Sequence, residues 1–493
     1  MKALHRTVYA LCSVLSLLSL GLFLFTAVAR LGYPYELEWL EGGVLVEVAR
    51  ATAGEPLYVE PSVDYIPFIY TPLYIWIGAA LCKLFGLKFV VLRVISLAST
   101  LLCFALLFIL VLRETRSAVA SFLAVGLFCA TYEISGVWFD IARVDSLFVA
   151  LLLASLLLLK VSGGSRVDLA AGALLGLSFL TKQAALAMFP AFAAYLMFFH
   201  RSRAVPFSLG FAITALAVSA VMNLKSGGWY SYYVFELPSG FERSLNLDFF
   251  TVDLIGSVPF TMACAALYFF LRGPSAESKR FFAFALFAAG FISWFSKLHV
   301  GGYANDLIPL YLMLCAVAAM GVGHAARSSA ILKLISAVMV LLQLAASIYD
   351  PRPYIPTAAD ARAGDRLAGL ISGISGEVFI PSHPYLSLFA GKKSYAHTVA
   401  LSDLLILGDS ETTERIVRDL LADLATHRFS AVVWDGERSK FARVARAFYG
   451  NRLRIFSDDD VFWTRVGMRT RPQFIYCTDE AFEEIRRAAS ARP

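Results

Sequence analysis

Residues 8–29 read VYALCSVLSLLSLGLFLFTAVA, an apolar stretch near the amino terminus that is long enough to span a lipid bilayer. The whole chain agrees with this pattern, because 58% of its 493 residues are hydrophobic and only 16% are charged. Soluble domains carry about 25% charged residues. The composition therefore excludes a water-soluble enzyme, a disulfide-bonded scaffold and a disordered chain, and it predicts a polytopic membrane protein.

Further apolar stretches follow along the chain. Those that predict single spans are residues 90–112, 117–135, 144–160, 205–224, 253–271, 281–296, 304–323 and 330–349. The stretch 168–199 is interrupted by Thr181-Lys182-Gln183, which predicts two short helices meeting in a hairpin. About eleven spans result. A signal peptide is the alternative for the first stretch, although about 20 apolar residues are long for one.

The segment 70–86 decides the topology. Pro67 and Pro72 lie near its start and Lys83 near its end, and its short apolar run favours an interfacial or re-entrant helix over a span. If it does not cross, 13 basic residues of the membrane half lie inside and 10 outside, and crossing reverses these counts. The positive-inside rule thus predicts a multi-pass protein of the cell (inner or plasma) membrane with an extracytoplasmic carboxyl terminus.

From Asp350 onward the composition is mixed. Short apolar runs at 378–380 and 431–434 and an amphipathic stretch at 411–426 predict a small α/β domain over residues 350–493. Its 20 Lys and Arg nearly balance its 19 Asp and Glu, which argues against a nucleic-acid partner. The predicted fold is therefore mainly α, with a transmembrane domain of residues 1–349 that includes a long first outer loop (31–89), followed by an extracytoplasmic α/β domain.

The first outer loop carries three carboxylates within six residues, Glu36, Glu38 and Glu41. Glu38 and Glu41 are three residues apart, so they would share one face of a helix. The apolar pattern from Leu37 to Val48 would lay that helix along the membrane surface. Partial desolvation there would give a carboxylate the raised basicity of a general base, but the acids could equally complement the dipole at a helix start.

Further ionisable residues lie at the outer ends of the predicted spans. Asp145 precedes a run of Leu and Val, where it would either cap the following helix or contact an acceptor or a metal ion. Lys182, Lys297 and His299 lie on the same side. Each could be an interfacial anchor, whereas together such basic residues would bind a phosphate or diphosphate.

The order of these motifs resembles that of the GT-C superfamily of polytopic glycosyltransferases, in the branch with the aminoarabinose transferase and the protein mannosyltransferase-like enzymes. The resemblance covers roughly residues 8–325. The family's acidic motif, its Ala-Arg pair and its Gly are matched by Glu41-Gly42, Ala49-Arg50 and Gly54. Its second juxtamembrane helix opens Lys-Pro-Pro-Leu, and the corresponding residues 70–73 are Tyr-Thr-Pro-Leu.

Further along the chain, Arg93, Asp145, Thr181-Lys182, and Tyr303 with Pro309 resemble family positions. The resemblance implies that Glu41 is the catalytic base. Two departures from the family pattern stand out, since the usual Asp is a Glu and the lysine that the family uses on the carrier phosphate is absent. Lys182, Lys297 or His299 would have to replace that lysine.

The resemblance implies a membrane glycosyltransferase that moves a sugar from a polyprenyl-phosphate carrier to a hydroxyl of a glycan, lipid or protein acceptor at the outer face. Glu41, with Glu38 beside it, and Asp145 would be catalytic, and Arg93, Lys182, Lys297, His299 and Tyr303 would bind substrate and phosphate. A secondary transporter of a polar or anionic solute and a non-catalytic membrane scaffold are the alternatives. The cofactor stays open, with a divalent cation as one candidate.

Overall fold

The computed structural model describes residues 2–161, 163–244, 246–299, 301–436 and 440–490. The chain is mainly helical with one small sheet, which confirms the predicted fold class. Its α-helices of five or more residues are α1 (Lys2–Leu31), α2 (Glu41–Thr52), α3 (Leu73–Phe85), α4 (Phe89–Thr115), α5 (Ala118–Ala130), α6 (Asp145–Val161), α7 (Ser165–Phe179), α8 (Met188–Phe199), α9 (Arg201–Phe211), α10 (Ala217–Lys225), α11 (Pro259–Phe270), α12 (Ala276–Lys297), α13 (Ile308–Ser328), α14 (Ala330–Ala346), α15 (Ala358–Ser372), α16 (Tyr385–Phe389), α17 (Thr398–Leu407), α18 (Ser410–Ala425), α19 (Lys440–Phe448) and α20 (Asp479–Ser490).

Four helices of the described chain are long and apolar enough to cross a membrane, namely Ala3–Leu31, Phe89–Thr115, Arg201–Lys225 and Ala304–Ser328. They coincide with the predicted spans 8–29, 90–112, 205–224 and 304–323. Most other predicted spans coincide with shorter or more polar helices, and the predicted hairpin at 168–199 corresponds to α7 and α8. The polytopic membrane architecture is thus confirmed, whereas the number of eleven spans stays a prediction.

The stretch 253–271, predicted as one span, is not one straight helix. A π-helical segment, Phe249–Gly256, and α11 meet at an angle of 84°. The break falls at Pro259, which has no N–H to donate and whose ring disfavours helical backbone at the preceding Val258. Val258 accordingly leaves the helical region, with φ −132° and ψ 40°.

The described chain divides into two compact units. The first unit consists of Met1–Leu31, Val94–Val221 and Glu242–Arg352, and the second of Gly32–Arg93, Met222–Phe241 and Pro353–Pro493. The second unit therefore combines the first outer loop with the carboxyl-terminal section. The predicted domain boundary at residues 349 and 350 stays a prediction, and residues 491–493 of that domain lie outside the described chain.

The second unit contains a four-stranded sheet in the order β1-β2-β4-β3. Its strands are β1 (Glu377–Phe379), β2 (Phe429–Trp434), β3 (Asn451–Arg454) and β4 (Phe474–Cys477). β1 and β2 are parallel, whereas β4 pairs antiparallel with both β2 and β3. The two apolar runs recognised in the sequence form β1 and β2, and the amphipathic stretch 411–426 forms α18.

Both flanks of the segment 70–86 contact the carboxyl-terminal section within the second unit. The Phe68 ring lies 5.2 Å from the imidazole of His397, and the Phe89 ring lies 5.1 Å from that of Tyr385. The helix between them, α3, has 13 residues, whereas a span needs about 20. Because both ends reach the same section of chain, the structure supports a segment that does not cross the membrane.

We expect single cysteines at Ala53 and Lys88, which are exposed residues on either side of α3, to react with an impermeant thiol reagent from the same side of intact cells. All seven native cysteines are buried, so the unsubstituted chain provides the background. Labelling of only one of the two positions would show that the segment crosses.

We further expect this common side to be the extracytoplasmic one, because the basic residues favour it. A reporter that is active only outside the cytoplasm, fused to the carboxyl terminus, should therefore be active. Activity of a cytoplasm-only reporter at the same position would overturn the predicted orientation, while leaving the fold unaffected.

Candidate active site

The three carboxylates in the loop after α1 are not arranged as the sequence predicted. Helix α2 begins at Glu41, so Glu38 lies in the preceding turn, and the two residues do not share a helical face. The carboxylate of Glu38 instead turns back on its own loop, where Oε2 accepts from the Leu40 N–H at 3.1 Å. The predicted helix therefore starts three residues later than the pattern of acids suggested.

Helix α2 is also more buried than its sequence predicted. Every residue from Glu41 to Val48 is buried, so the first two turns present no apolar face to lipid. The expectation that this helix turns an apolar face to the membrane is therefore wrong, whereas its direction relative to the membrane surface stays a prediction. The reason is the carboxyl-terminal section, which lies against α2: a Cβ on Gly42 would come within 2.4 Å of the Tyr385 ring.

Glu41 forms a fully buried ion pair with Arg93. Arg93 Nε donates to Glu41 Oε1 at 3.0 Å and Arg93 Nη2 donates to Oε2 at 2.7 Å, and neither side chain is exposed. The Leu37 N–H also donates to Oε2. Arg93 donates further to the carbonyls of Tyr33 and Tyr35. The pair thus fixes one orientation of the Glu41 carboxylate, and these contacts favour a positioning role for Arg93.

Glu36 is held by the carboxyl-terminal section as well. Its Oε1 accepts from the Gly42 N–H at 3.0 Å, and its Oε2 lies 2.5 Å from His383 Nδ1. His383 Nε2 lies 3.2 Å from a carboxylate oxygen of Asp435. A side chain at position 42 would meet Glu36 Oε1 at 2.0 Å, so the glycine after Glu41 is what allows this approach. Glu36, His383 and Asp435 therefore form a carboxylate–imidazole–carboxylate chain that ends at the start of α2.

Burial and the neighbouring charges shift the pKa values of Glu36 and His383 in opposite directions. Burial raises the pKa of Glu36 to about 7, although the neighbouring His383 opposes the shift. Burial disfavours the imidazolium of His383, but the charges of Asp435 and Glu36 outweigh this and raise its pKa to about 10. The two carboxyl groups therefore favour the charged form of the imidazole between them.

A second polar group lies in the first unit, at the amino-terminal end of α6. Lys182 Nζ donates to Asp145 Oδ1 at 2.8 Å and to Asp306 Oδ1 at 3.0 Å. Asn305 Nδ2 donates to the same Asp145 oxygen at 3.0 Å. We call Asp145, Lys182, Asn305 and Asp306 the lysine cluster. Asp145 thus joins this cluster through its side chain rather than serving only as a helix cap.

Trp138 connects Tyr303 to the lysine cluster. The indole N–H of Trp138 donates to Asp145 Oδ2 at 3.0 Å, and the Trp138 and Tyr303 rings are 5.2 Å apart. Gly136, with φ +75°, allows the Tyr303 ring to approach, because a Cβ there would lie 2.7 Å from it. Three of the predicted residues, Asp145, Lys182 and Tyr303, are therefore brought together.

The two other predicted phosphate ligands of the first unit have other neighbours. Lys297 pairs with Asp253 at 3.2 Å. His299 forms an isolated antiparallel β-bridge with Arg243. Among the described residues, no three His, Cys, Asp or Glu side chains converge as a metal site.

His383 and Asp435 are not among the site residues predicted from the sequence, although their positions after two strands could have indicated them. His383 follows the parallel strand β1 by four residues, and Asp435 directly follows β2. Polar residues after adjacent parallel strands meet at one edge of a sheet, where ligands and functional groups collect. Asn305 and Asp306 are not recognisable from the sequence, because Asn305 bonds to Asp145 and Asp306 to Lys182, each more than 120 residues away along the chain.

The helical spans, the long first loop and the small α/β section are the fold features expected from the resemblance to the GT-C glycosyltransferases. Comparison with known proteins confirms the resemblance found in the sequence. Residues 69–224 match the family model described as dolichyl-phosphate-mannose-protein mannosyltransferase. This range includes Arg93, Asp145 and Lys182 but not Glu41.

Two crystal structures of ArnT from Cupriavidus metallidurans share the fold, one bound to undecaprenyl phosphate and one in the apo state. Each match covers 93% of this chain and 97% of the ArnT chain at 11% sequence identity, and the TM-scores are 0.62 for the bound and 0.60 for the apo structure. Identity at this level establishes the fold alone. A search of curated proteins gave no match.

Proposed function

We propose that the chain is a membrane glycosyltransferase that transfers a sugar from a polyprenyl-phosphate carrier to an acceptor hydroxyl at the extracytoplasmic face. The main support is the arrangement of Glu41. In a chain with the GT-C fold, the carboxylate at the position that resembles the family's base is fully buried and held in one orientation by Arg93 and the Leu37 N–H. Such preorganisation is what a positioned general base requires.

The proposed roles follow from these contacts. Glu41 deprotonates the acceptor hydroxyl, and Arg93 holds its carboxylate in one orientation. Glu38, three residues before it and also buried, is the second candidate for the base. Glu36 is the third, because burial raises its pKa toward neutrality.

In the first unit, the lysine cluster is the proposed phosphate site. Lys182 supplies the positive charge, and Asp145 orients it through the contact at 2.8 Å. Tyr303, which is partly exposed beside Trp138, offers an aromatic face to the sugar or carrier. Lys297 and His299 stay alternative phosphate ligands. The crystal structure of ArnT bound to undecaprenyl phosphate supports a polyprenyl phosphate as the carrier.

The test of this function uses membranes from cells that make the chain and from cells that lack it. Both are incubated with a panel of polyprenyl-phosphate sugars labelled in the sugar. We expect a labelled product that forms only in membranes with the chain. Its formation should be accompanied by release of the polyprenyl phosphate. Uptake of free sugar into sealed vesicles without such a product would favour the transporter, and absence of both would favour the scaffold.

A further inference from the structure

The carboxyl-terminal section of the second unit contains a short apolar helix. Helix α17, Thr398–Leu407, begins where the His397 imidazole accepts from the Val399 N–H at 3.0 Å. Its last four residues are all apolar. Leu404 is buried, whereas the side chains of Leu405 and Ile406 are 43% and 77% exposed. The helix therefore ends in an apolar tip that faces away from the core of the unit.

This tip packs on the segment that follows a membrane-spanning helix. A Cβ on Gly240 would lie 3.5 Å from the Leu407 carbonyl oxygen and 3.6 Å from its Cβ. Gly240 belongs to the stretch Met222–Phe241, which continues from the span Arg201–Lys225 and lies in the same unit as α17. The tip of α17 is thus in contact with the segment that follows an apolar helix long enough to span the membrane.

The residues between the span and Gly240 are typical of a membrane interface. Leu224, at the end of the span, is 82% exposed. It is followed by an aromatic run, and Trp and Tyr are enriched where a helix meets the headgroups. Within this run Phe235 is exposed and Trp229 and Tyr232 are half-buried, whereas Tyr230 and Tyr233 are buried inside the protein. The tip of α17 therefore continues an interfacial surface within the second unit.

The single acidic residue of α17 fits the same environment. Asp403 lies one turn before Leu407, and burial raises its pKa to about 7. A carboxyl group that is partly protonated at neutral pH opposes contact with lipid less than an ionised one. No charge of fixed sign on the helix itself keeps the tip in water.

We propose that Leu405 and Ile406 insert into the lipid leaflet nearest to the second unit, which makes the tip of α17 a membrane contact of the carboxyl-terminal section. Lipid is favoured over a second copy of the chain, because a stable protein interface buries about 1,200–2,000 Å² and two side chains supply only a small part of it. This inference rests on the membrane architecture and goes beyond the proposed transfer reaction.

The test uses the full chain in phosphatidylcholine nanodiscs with an environment-sensitive NBD label on Ile406→Cys. The buried native cysteines leave the unsubstituted chain as the labelling blank. We expect blue-shifted emission. Its intensity should be at least twofold lower in nanodiscs that contain lipid with a shallow doxyl group than in doxyl-free nanodiscs. Matched controls are Val417→Cys and Leu421→Cys on α18, both 39% exposed in the same unit, whose labels should show water-like emission without quenching.

Water-like emission at position 406, together with quenching by aqueous iodide, would overturn the proposal. Blue-shifted emission without doxyl quenching would overturn it too, because protein rather than lipid would then cover the tip. The same measurement on Leu405→Cys guards against a local effect of one substitution. Since no sugar or carrier is involved, these results are independent of whether the chain transfers a sugar.

Discussion

Replacement of Glu41 by Gln is expected to lower sugar transfer by about 10²–10⁴-fold, the usual contribution of a general base. The same change leaves the guanidinium of Arg93 buried without its ionic partner. Loss of one member of a buried pair destabilises a protein by about 3–5 kcal/mol. We therefore expect lower thermal stability as well, measured on the purified protein beside the rate of transfer.

The double variant Glu41→Gln/Arg93→Gln separates these two effects. It removes both buried charges, so stability should recover in part, while transfer should stay lost if Glu41 is the base. Recovery of transfer together with stability would show that Glu41 has only a structural role. Glu38→Gln and Glu36→Gln are the matched single controls, and a larger loss in either one would move the role of the base to that residue.

Replacement of Lys182 by Met is expected to weaken the binding of undecaprenyl phosphate by about 10–100-fold, measured as the Kd of the purified protein. The estimate corresponds to one charge-assisted hydrogen bond of about 1.5–3 kcal/mol. Lys297→Met is the matched control, since Lys297 also pairs with an aspartate but lies outside the lysine cluster, and it should change the Kd by less than about threefold. The reverse ranking would assign the phosphate to Lys297.

A variant that should tighten the binding of undecaprenyl phosphate distinguishes a binding role of Lys182 from a purely structural one. Asp306→Asn removes one of the two carboxylates that neutralise Lys182. If Lys182 binds the phosphate, this variant should bind undecaprenyl phosphate more tightly than the wild type. If the lysine cluster only holds the spans together, the variant should lose stability and show no gain in affinity.

The sequence predicted those features that depend on local pattern. The long apolar stretches, the short segment 70–86 and the runs that form β1 and β2 are each recognisable within one window of sequence. It did not predict the partners of the charged residues. Glu41 and Arg93 are 52 residues apart, and Glu36 and His383 are 347 apart, so no local period relates them. The start of α2 at Glu41 is not predictable for the same reason, since Leu37 and Glu38 just before it pair with the distant residues 465 and 466.

The contact of Glu36 with His383 also has a consequence for biosynthesis. The loop that contains Glu36 leaves the ribosome early, but its partner is made 347 residues later. At about 5–20 residues per second, the loop waits roughly 17–70 s before its imidazole partner exists. During that interval all the intervening spans must insert, and the loop is held by its local contacts and by the bonds from Arg93. Slowed insertion of the spans should therefore expose this loop to proteases for longer, and a chain stalled before His383 should protect it less than the complete chain does.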